Sequence, residues 1–346
     1  MLMKNFNPHM YEKGGFDIFK IELNEMRGQF DMKQGIISLG EALIDFIPLD
    51  EQNMNYQKSP GGAPANVAVG LARLGTKSSF LGKVGEDVLG RFLKDTLKGY
   101  GVRVNQMLST PDNRTGVVFV TNREEGERSF DFYIDPSADR FLQVNDIDEE
   151  DLATHKILHF GSISMISSPA KESTLHAVKV AKDNGLLVSY DPNLRLGLWD
   201  SEENARETIK SMLPEVDIVK ISEEELEFIT GEKELEAGAA NLKAYNIPFL
   251  IITMGAQGSS VHLGEDCRYI PAMKVKAVDT TGAGDAFVSG ILHSMDKYQG
   301  KIETLSLEEA VHMAQFATIS GALAASTKGA MTALPTLEEI KLHLEK

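Results

Sequence analysis

A chain of 346 residues with 42% apolar and 25% charged residues has the composition of a folded globular protein and can bury a large core without disulfides. Its 35 Lys and Arg against 51 Asp and Glu leave a formal charge of −16, which disfavours a nucleic-acid backbone or an anionic membrane as partner. The single cysteine, Cys267, excludes an intrachain disulfide and a cysteine-rich zinc site. No run of about 18 apolar residues marks a membrane span, and the first fifteen residues lack the apolar segment of a secretory signal. A cytoplasmic location is therefore expected.

Residues 1 to 34 carry no clear period and read as an N-terminal extension without an assigned role. From Ile36 the pattern changes. Short apolar runs at Ile36–Leu39, Ile157–Phe160, Leu186–Val188, Val216–Val219 and Phe249–Ile252 are bounded by Gly, Asp or Pro, as buried parallel strands are. Helical periods lie between them. Ala65–Leu74 ends at Gly75, Ala170–Asn184 ends at Gly185, and Ser306–Ala325 is a long apolar helix. Strands alternating with helices predict an α/β fold with helices on both faces of the sheet. Thr115–Tyr133 breaks this rhythm: two β-rich runs flank a polar turn at Gly126, the pattern of a hairpin. Such an element is either a flap over a ligand or a plain edge hairpin.

The sharpest segment is Val278-Asp279-Thr280-Thr281-Gly282-Ala283-Gly284-Asp285-Ala286-Phe287. A strand-like run, Lys274–Val278, leads into a glycine turn, and Phe287, Val288, Ile291 and Leu292 then recur at helical spacing. The amides of Gly282, Ala283 and Gly284 are thereby expected at a helix N-terminus, where free N–H groups and the helix dipole attract an anion. Asp285 in the first turn would repel a bound phosphate unless something lies between them. A hydroxyl nucleophile fits there, because Asp285 can accept its proton. On the residues alone Asp285 also reads as an acid complementing the dipole. No G-x-x-x-x-G-K-[ST] occurs, so the turn is not a P-loop. Phe287 stands where a dinucleotide fingerprint needs Gly or Ala, which argues against a nicotinamide oxidoreductase.

These residues resemble the signature of the PfkB (ribokinase-like) carbohydrate kinases. A second signature of that family is similar to Gly61-Gly62-Ala63-Pro64-Ala65-Asn66 with Gly82–Asp87 behind it, and the likeness extends over residues 35 to 335. The resemblance implies a three-layer sandwich around a mostly parallel central sheet. It also implies a single kinase domain over residues 35–346, with a small β lid formed roughly by 46–60 and 114–135. ATP with Mg²⁺, and K⁺ as a further ion, are the implied cofactors.

Asp285 then matches the family's catalytic base and Gly282, Ala283 and Gly284 its anion hole. Asp45, Gly61, Gly62 and Asn66 match sugar contacts, chemistry that suits a neutral polyol. Thr253, Gly255 and Gly258 resemble its nucleotide loop, and Lys220 a residue near the nucleotide phosphates. Ser222-Glu223-Glu224-Glu225 stands where the family has N-x-x-E. There Ser222 would meet the cofactor and Glu225 magnesium through water, although S-x-x-E is also a helix capping box. Asp279 and Thr281 resemble a potassium site whose second half is Ala324–Ala333.

Asp191-Pro192-Asn193-Leu194-Arg195 and the stretch through Trp199 resemble fructokinases within the family, with Arg195, and Arg128 of the hairpin, near the sugar. An unphosphorylated hexose, fructose foremost, is the implied substrate, since a sugar phosphate needs more cations. The alternatives are 2-keto-3-deoxygluconate and, in another class, a non-catalytic sugar- or nucleotide-sensing protein on the same fold. The β lid is also the expected surface for a homodimer.

Overall fold

The structure, a computed structural model, describes residues 33–122 and 128–344. The N-terminal extension read from the sequence lies outside the described residues apart from Lys33 and Gln34, and so does the turn at Gly126.

In chain order the strands are β1 (Ile36–Leu39), β2 (Leu43–Pro48), β3 (Tyr56–Gly61), β4 (Ser78–Gly85), β5 (Met107–Thr110), β6 (Gly116–Asn122) and β7 (Arg128–Phe132). They continue with β8 (Ile157–Gly161), β9 (Leu187–Asp191), β10 (Ile218–Ser222), β11 (Phe249–Thr253), β12 (Gly258–Leu263) and β13 (Asp266–Pro271). The helices are α1 (Ala63–Arg73), α2 (Val88–Gly99), α3 (Glu149–Leu152), α4 (Ala170–Asp183), α5 (Glu202–Met212) and α6 (Glu223–Thr230). They continue with α7 (Leu235–Leu242), α8 (Ala283–Lys297), α9 (Leu307–Ala325) and α10 (Leu337–Leu344).

Among the described residues the main sheet has nine strands in the order β13-β12-β11-β10-β9-β8-β1-β4-β5. Pairing is parallel except at one edge, where β12 and β13 run antiparallel. Side chains alternate across it. Ile36, Ile218, Phe249 and Ile251 pack against α1, α8 and α9, whereas Ile37, Val219, Leu250 and Ile252 pack against α4 to α7. Both faces are covered, so these strands read as unbroken apolar runs. Each fully buried Ile or Leu contributes about 1.5–3 kcal/mol of transfer free energy, and this is what holds the three layers together. Gly75 and Gly185 take left-handed φ of 78° and 70° just past α1 and α4, as the sequence led one to expect.

From β1 the chain moves outward to β4 and β5, then returns beside β1 as β8 and proceeds the other way. Such a reversal opens a crevice at the carboxyl ends of the strands. A second sheet, β3-β2-β6-β7, stands over it, with β2 and β6 parallel and the outer pairs antiparallel. Its aromatic residues hold it together: Phe46 stacks on Phe119 at 5.0 Å between centroids, and Tyr56 and Tyr133 meet Phe119 edge-on.

One expected element is absent. Lys274–Val278 joins no strand. Its backbone partner lies elsewhere: Val278 and Asp279 donate to the Ala325 carbonyl at the end of α9, at 2.8 and 3.2 Å. The apolar alternation that resembles a strand here lines a cavity instead.

Candidate active site

Gly282 precedes α8 with φ 77°, a left-handed conformation open to glycine, and this turns the chain from the Asp279–Thr281 loop into the helix. Asp279 braces that loop and ties it to the Gly329 segment beyond α9. Its Oδ1 accepts the Thr281 N–H at 3.1 Å and its Oδ2 accepts the Gly329 N–H at 3.2 Å. The Ala283 amide donates to the Thr280 carbonyl at 3.1 Å. In this arrangement Ala283 spends its donor closing the turn, while Gly282 and Gly284 line the cavity below.

Asp285 is the third residue of α8 and is buried. The Asn66 amide of α1 donates to its Oδ2 at 2.7 Å, while the Asn66 Oδ1 is buried without a partner. Burial pushes the Asp285 carboxyl up to about 6, and Asp191 adds to the effect; the Asn66 hydrogen bond, Lys220 and Arg195 oppose it. Asp45 on β2 shares this environment. Burial, with Asp285 nearby, pushes it up to about 7 against the pull of Arg195. Gly61 on the neighbouring strand makes room for it, since a Cβ there would stand 2.2 Å from Asp45 Oδ2.

Lys220 on β10 pairs with Asp191 at the end of β9, Nζ to Oδ2 3.2 Å. Burial works against its charge, but Asp191, Glu225 and Asp285 outweigh this and raise its pKa. Ser222 and Glu225 form the capping box of α6: Glu225 accepts the Ser222 N–H at 2.8 Å and Ser222 Oγ accepts the Glu225 N–H at 3.1 Å. The second Glu225 oxygen accepts the Leu194 N–H at 2.8 Å, tying the Asp191–Arg195 loop to α6. Burial raises the Glu225 pKa. Arg195 is exposed and donates to the Asn193 and Leu194 carbonyls of its own loop.

Three cavities gather here. One of about 680 Å³ is walled by Asp45, Gly62, Asn66, Arg195, Lys220 and Asp285, with Asp279 and Thr281 at one side and Val118 and Phe132 of the second sheet above. One of about 600 Å³ is walled by Thr253, Gly255 and Gly258, by Met273 and Val275, and by Gly321 and Ala325 of α9. The two share Ala277, Thr280 and Gly284. Ser222 and Glu225 face neither. They line a third space of about 650 Å³, which Lys220 and Arg195 also border. Arg128 begins β7, but its side chain lies outside the described residues.

Reading of the sequence missed several lining residues. Glu41, Asp191 and Phe132 face the first cavity, and Asp191 lay within a stretch already singled out. The α9 residues had no signal, because small side chains on an apolar helix read as packing.

A polar cavity and an apolar one, joined at a glycine turn at a helix start with a carboxyl beside it, suit transfer of an anionic group between two small molecules. Fold and site together define a small-molecule phosphotransferase.

Known proteins agree. The pattern of the pfkB family carbohydrate kinases matches residues 33–337. The chain is 44% identical over 319 residues to "Probable fructokinase-6, chloroplastic" of Arabidopsis thaliana, covering 90% of this chain and 82% of the relative. It is 40% identical over 317 residues to fructokinase-1 of Zea mays, covering 90% and 98%. A crystal structure of a fructokinase double mutant from Vibrio cholerae O395, in fructose, ADP and potassium ion bound form, superposes with a TM-score of 0.83 at 38% identity, covering 90% of this chain and 98% of that one. This chain belongs to the pfkB family of carbohydrate kinases.

Proposed function

We propose that the chain is a fructokinase, transferring the γ-phosphoryl of ATP to a hydroxyl of fructose. One observation carries the reading: Asp285 stands where the polar and apolar cavities join, beside the amides of Gly282 and Gly284. Fructose lies in the polar cavity, its hydroxyls accepted by Asp45, with Asn66 in the wall beside it. The nucleotide base lies in the apolar cavity beside the Thr253 loop, and its phosphates point toward Gly284 and Lys220. Asp285 accepts the proton of the attacking hydroxyl, and Asn66 holds the carboxylate in its charged form. The Gly282 and Gly284 amides meet the charge on the transferring group. The second sheet closes as a lid and excludes water, which limits idle hydrolysis of ATP.

Mg²⁺ enters with ATP as part of that substrate. Both oxygens of Glu225 already accept backbone N–H groups, so Glu225 suits contact with the ion through water. Asp279 and Thr281, in a loop that Asp279 ties to Gly329 of the 324–333 segment, offer oxygen donors that would suit a hard monovalent cation such as K⁺, which would supply positive charge near the anion hole when bound. The exposed thiol of Cys267 suits a reducing compartment such as the cytoplasm. Met54 and Tyr133, exposed on the lid, suit contact with a second copy of the chain.

ADP release measured over fructose, 2-keto-3-deoxygluconate, glucose and ribose tests the reading. Fructose is expected to lead in kcat/KM by about tenfold or more. A lead for 2-keto-3-deoxygluconate would reassign the substrate, and no ADP from any sugar would remove the kinase reading.

A further inference from the structure

The first turn of α1 lacks a cap of its own. Its N-cap is Gly62, which has no side chain to offer, and Pro64 in the second position has no N–H. The orphan amide of Ala63 is satisfied from outside the helix: Glu41 Oε1, just past β1, accepts it at 3.0 Å. A second contact holds the same corner. A Cβ on Gly40 would stand 2.6 Å from Pro64 Cγ, so the Gly40–Glu41 turn packs directly on the helix start. One turn further on, α1 carries Asn66, whose amide reaches Asp285 across 219 residues of sequence. Glu41 is buried and faces the polar cavity.

We propose that Glu41 is a positioning residue for phosphoryl transfer: as a remote cap it seats α1, and through α1 it sets Asn66 against Asp285. The inference rests on the reading of Asp285 as the base. A helix start that drifts by a fraction of an ångström moves Asn66 off the carboxylate and loosens the geometry of the attack. Burial pushes the Glu41 carboxyl up to about 8, with Asp139 adding to the rise, although its own backbone N–H, the Ala63 N–H and Arg195 oppose it. An uncharged glutamine, whose amide oxygen accepts the same N–H, therefore matches it near neutral pH.

The test compares Glu41→Met, Glu41→Gln, Asn66→Ala and the double variant Glu41→Met/Asn66→Ala by steady-state kinetics. Glu41→Met keeps the length but loses the acceptor; Glu41→Ala replaces it should circular dichroism show it unfolded. Glu41→Met is expected to lower kcat about tenfold, with ATP KM within about twofold, while Glu41→Gln stays within about threefold of the parent. In the Asn66→Ala background the Glu41→Met change is expected to cost less than about twofold, because the interaction it serves is already gone. Four results overturn the proposal: parent-like turnover in Glu41→Met, glutamine as damaging as methionine, losses that multiply in the double variant, or a rise in fructose KM with kcat intact, which would mark direct sugar contact. Asp285→Asn run alongside separates the two readings. If it keeps turnover, the base assignment fails whatever the cycle gives.

Discussion

The two cavities that meet at Gly284 are made of opposite materials. On one side Glu41, Asp45 and Asp285 bring three carboxyls out of water, pushed up to about 8, about 7 and about 6. On the other side the walls are mostly Gly, Ala, Val, Met and Thr, with Phe287 and Lys274 among them. A polyol is held by acceptors in fixed places, and fixing them costs desolvation that the fold must offset. An aromatic base needs only a slot that small side chains leave open. Substrate choice is therefore stored in charge on one side and in volume on the other.

Replacing the base is the strongest way to break this division. Asp285→Asn should lower kcat by at least about a hundredfold while ATP binding, read by calorimetry, stays near the parent value. Loss of both together would mean that the two sides are not separable. Next come paired changes, one on each side. Asp45→Asn should raise fructose KM about tenfold or more and leave ATP KM within about twofold. Ala322→Leu, which fills the apolar side, should do the reverse. Crossed effects in either variant would sink the comparison.

Acidity sharpens it further. The base must be ionised, so kcat/KM should rise with pH through about 6 and fall away below it, and a profile flat from pH 5 to 8 would contradict the assignment. The stability effect has the opposite sign. The folded pKa of Asp285 lies above its ordinary value, so its contribution is full at low pH and is lost as pH rises through about 6. At pH 8 Asp285→Asn should therefore melt higher, gaining at most about 3 kcal/mol. The smallest effect is expected at Ser222→Ala. Losing the α6 cap should cost about 1 kcal/mol in chemical denaturation and leave ATP KM within about twofold. A large rise in ATP KM would instead make Ser222 a nucleotide contact.

Much of this was legible in the chain. Apolar runs such as Phe249–Ile252 announced strands buried on both faces, and the hairpin around residues 115–133 stood out as two β-rich runs flanking a polar turn. Asp285 and its glycines announced the start of α8. Other features were not legible. Lys274–Val278 alternates like a strand, but no strand pairs with it and its end is held by the Ala325 carbonyl of α9. Ala283 reads like its glycine neighbours, and only its bond to Thr280 removes its amide from the site. Glu41 sits four residues before Asp45, and nothing local marks it as a cap, because its partner amide belongs to a helix that starts two strands later.

The residues by themselves determined what is local: where most of the helices and buried strands lie, where glycine is needed, and which acid sits in the first turn of α8. Those properties depend on neighbours in the chain and on the period with which apolar side chains recur. Tertiary structure decided which amides stay free, which carboxyls are shut away from water, and that two unlike cavities share Gly284. Desolvation and hydrogen bonding act between groups that lie hundreds of residues apart in sequence, as Asn66 and Asp285 do, and so arise only when the layers close.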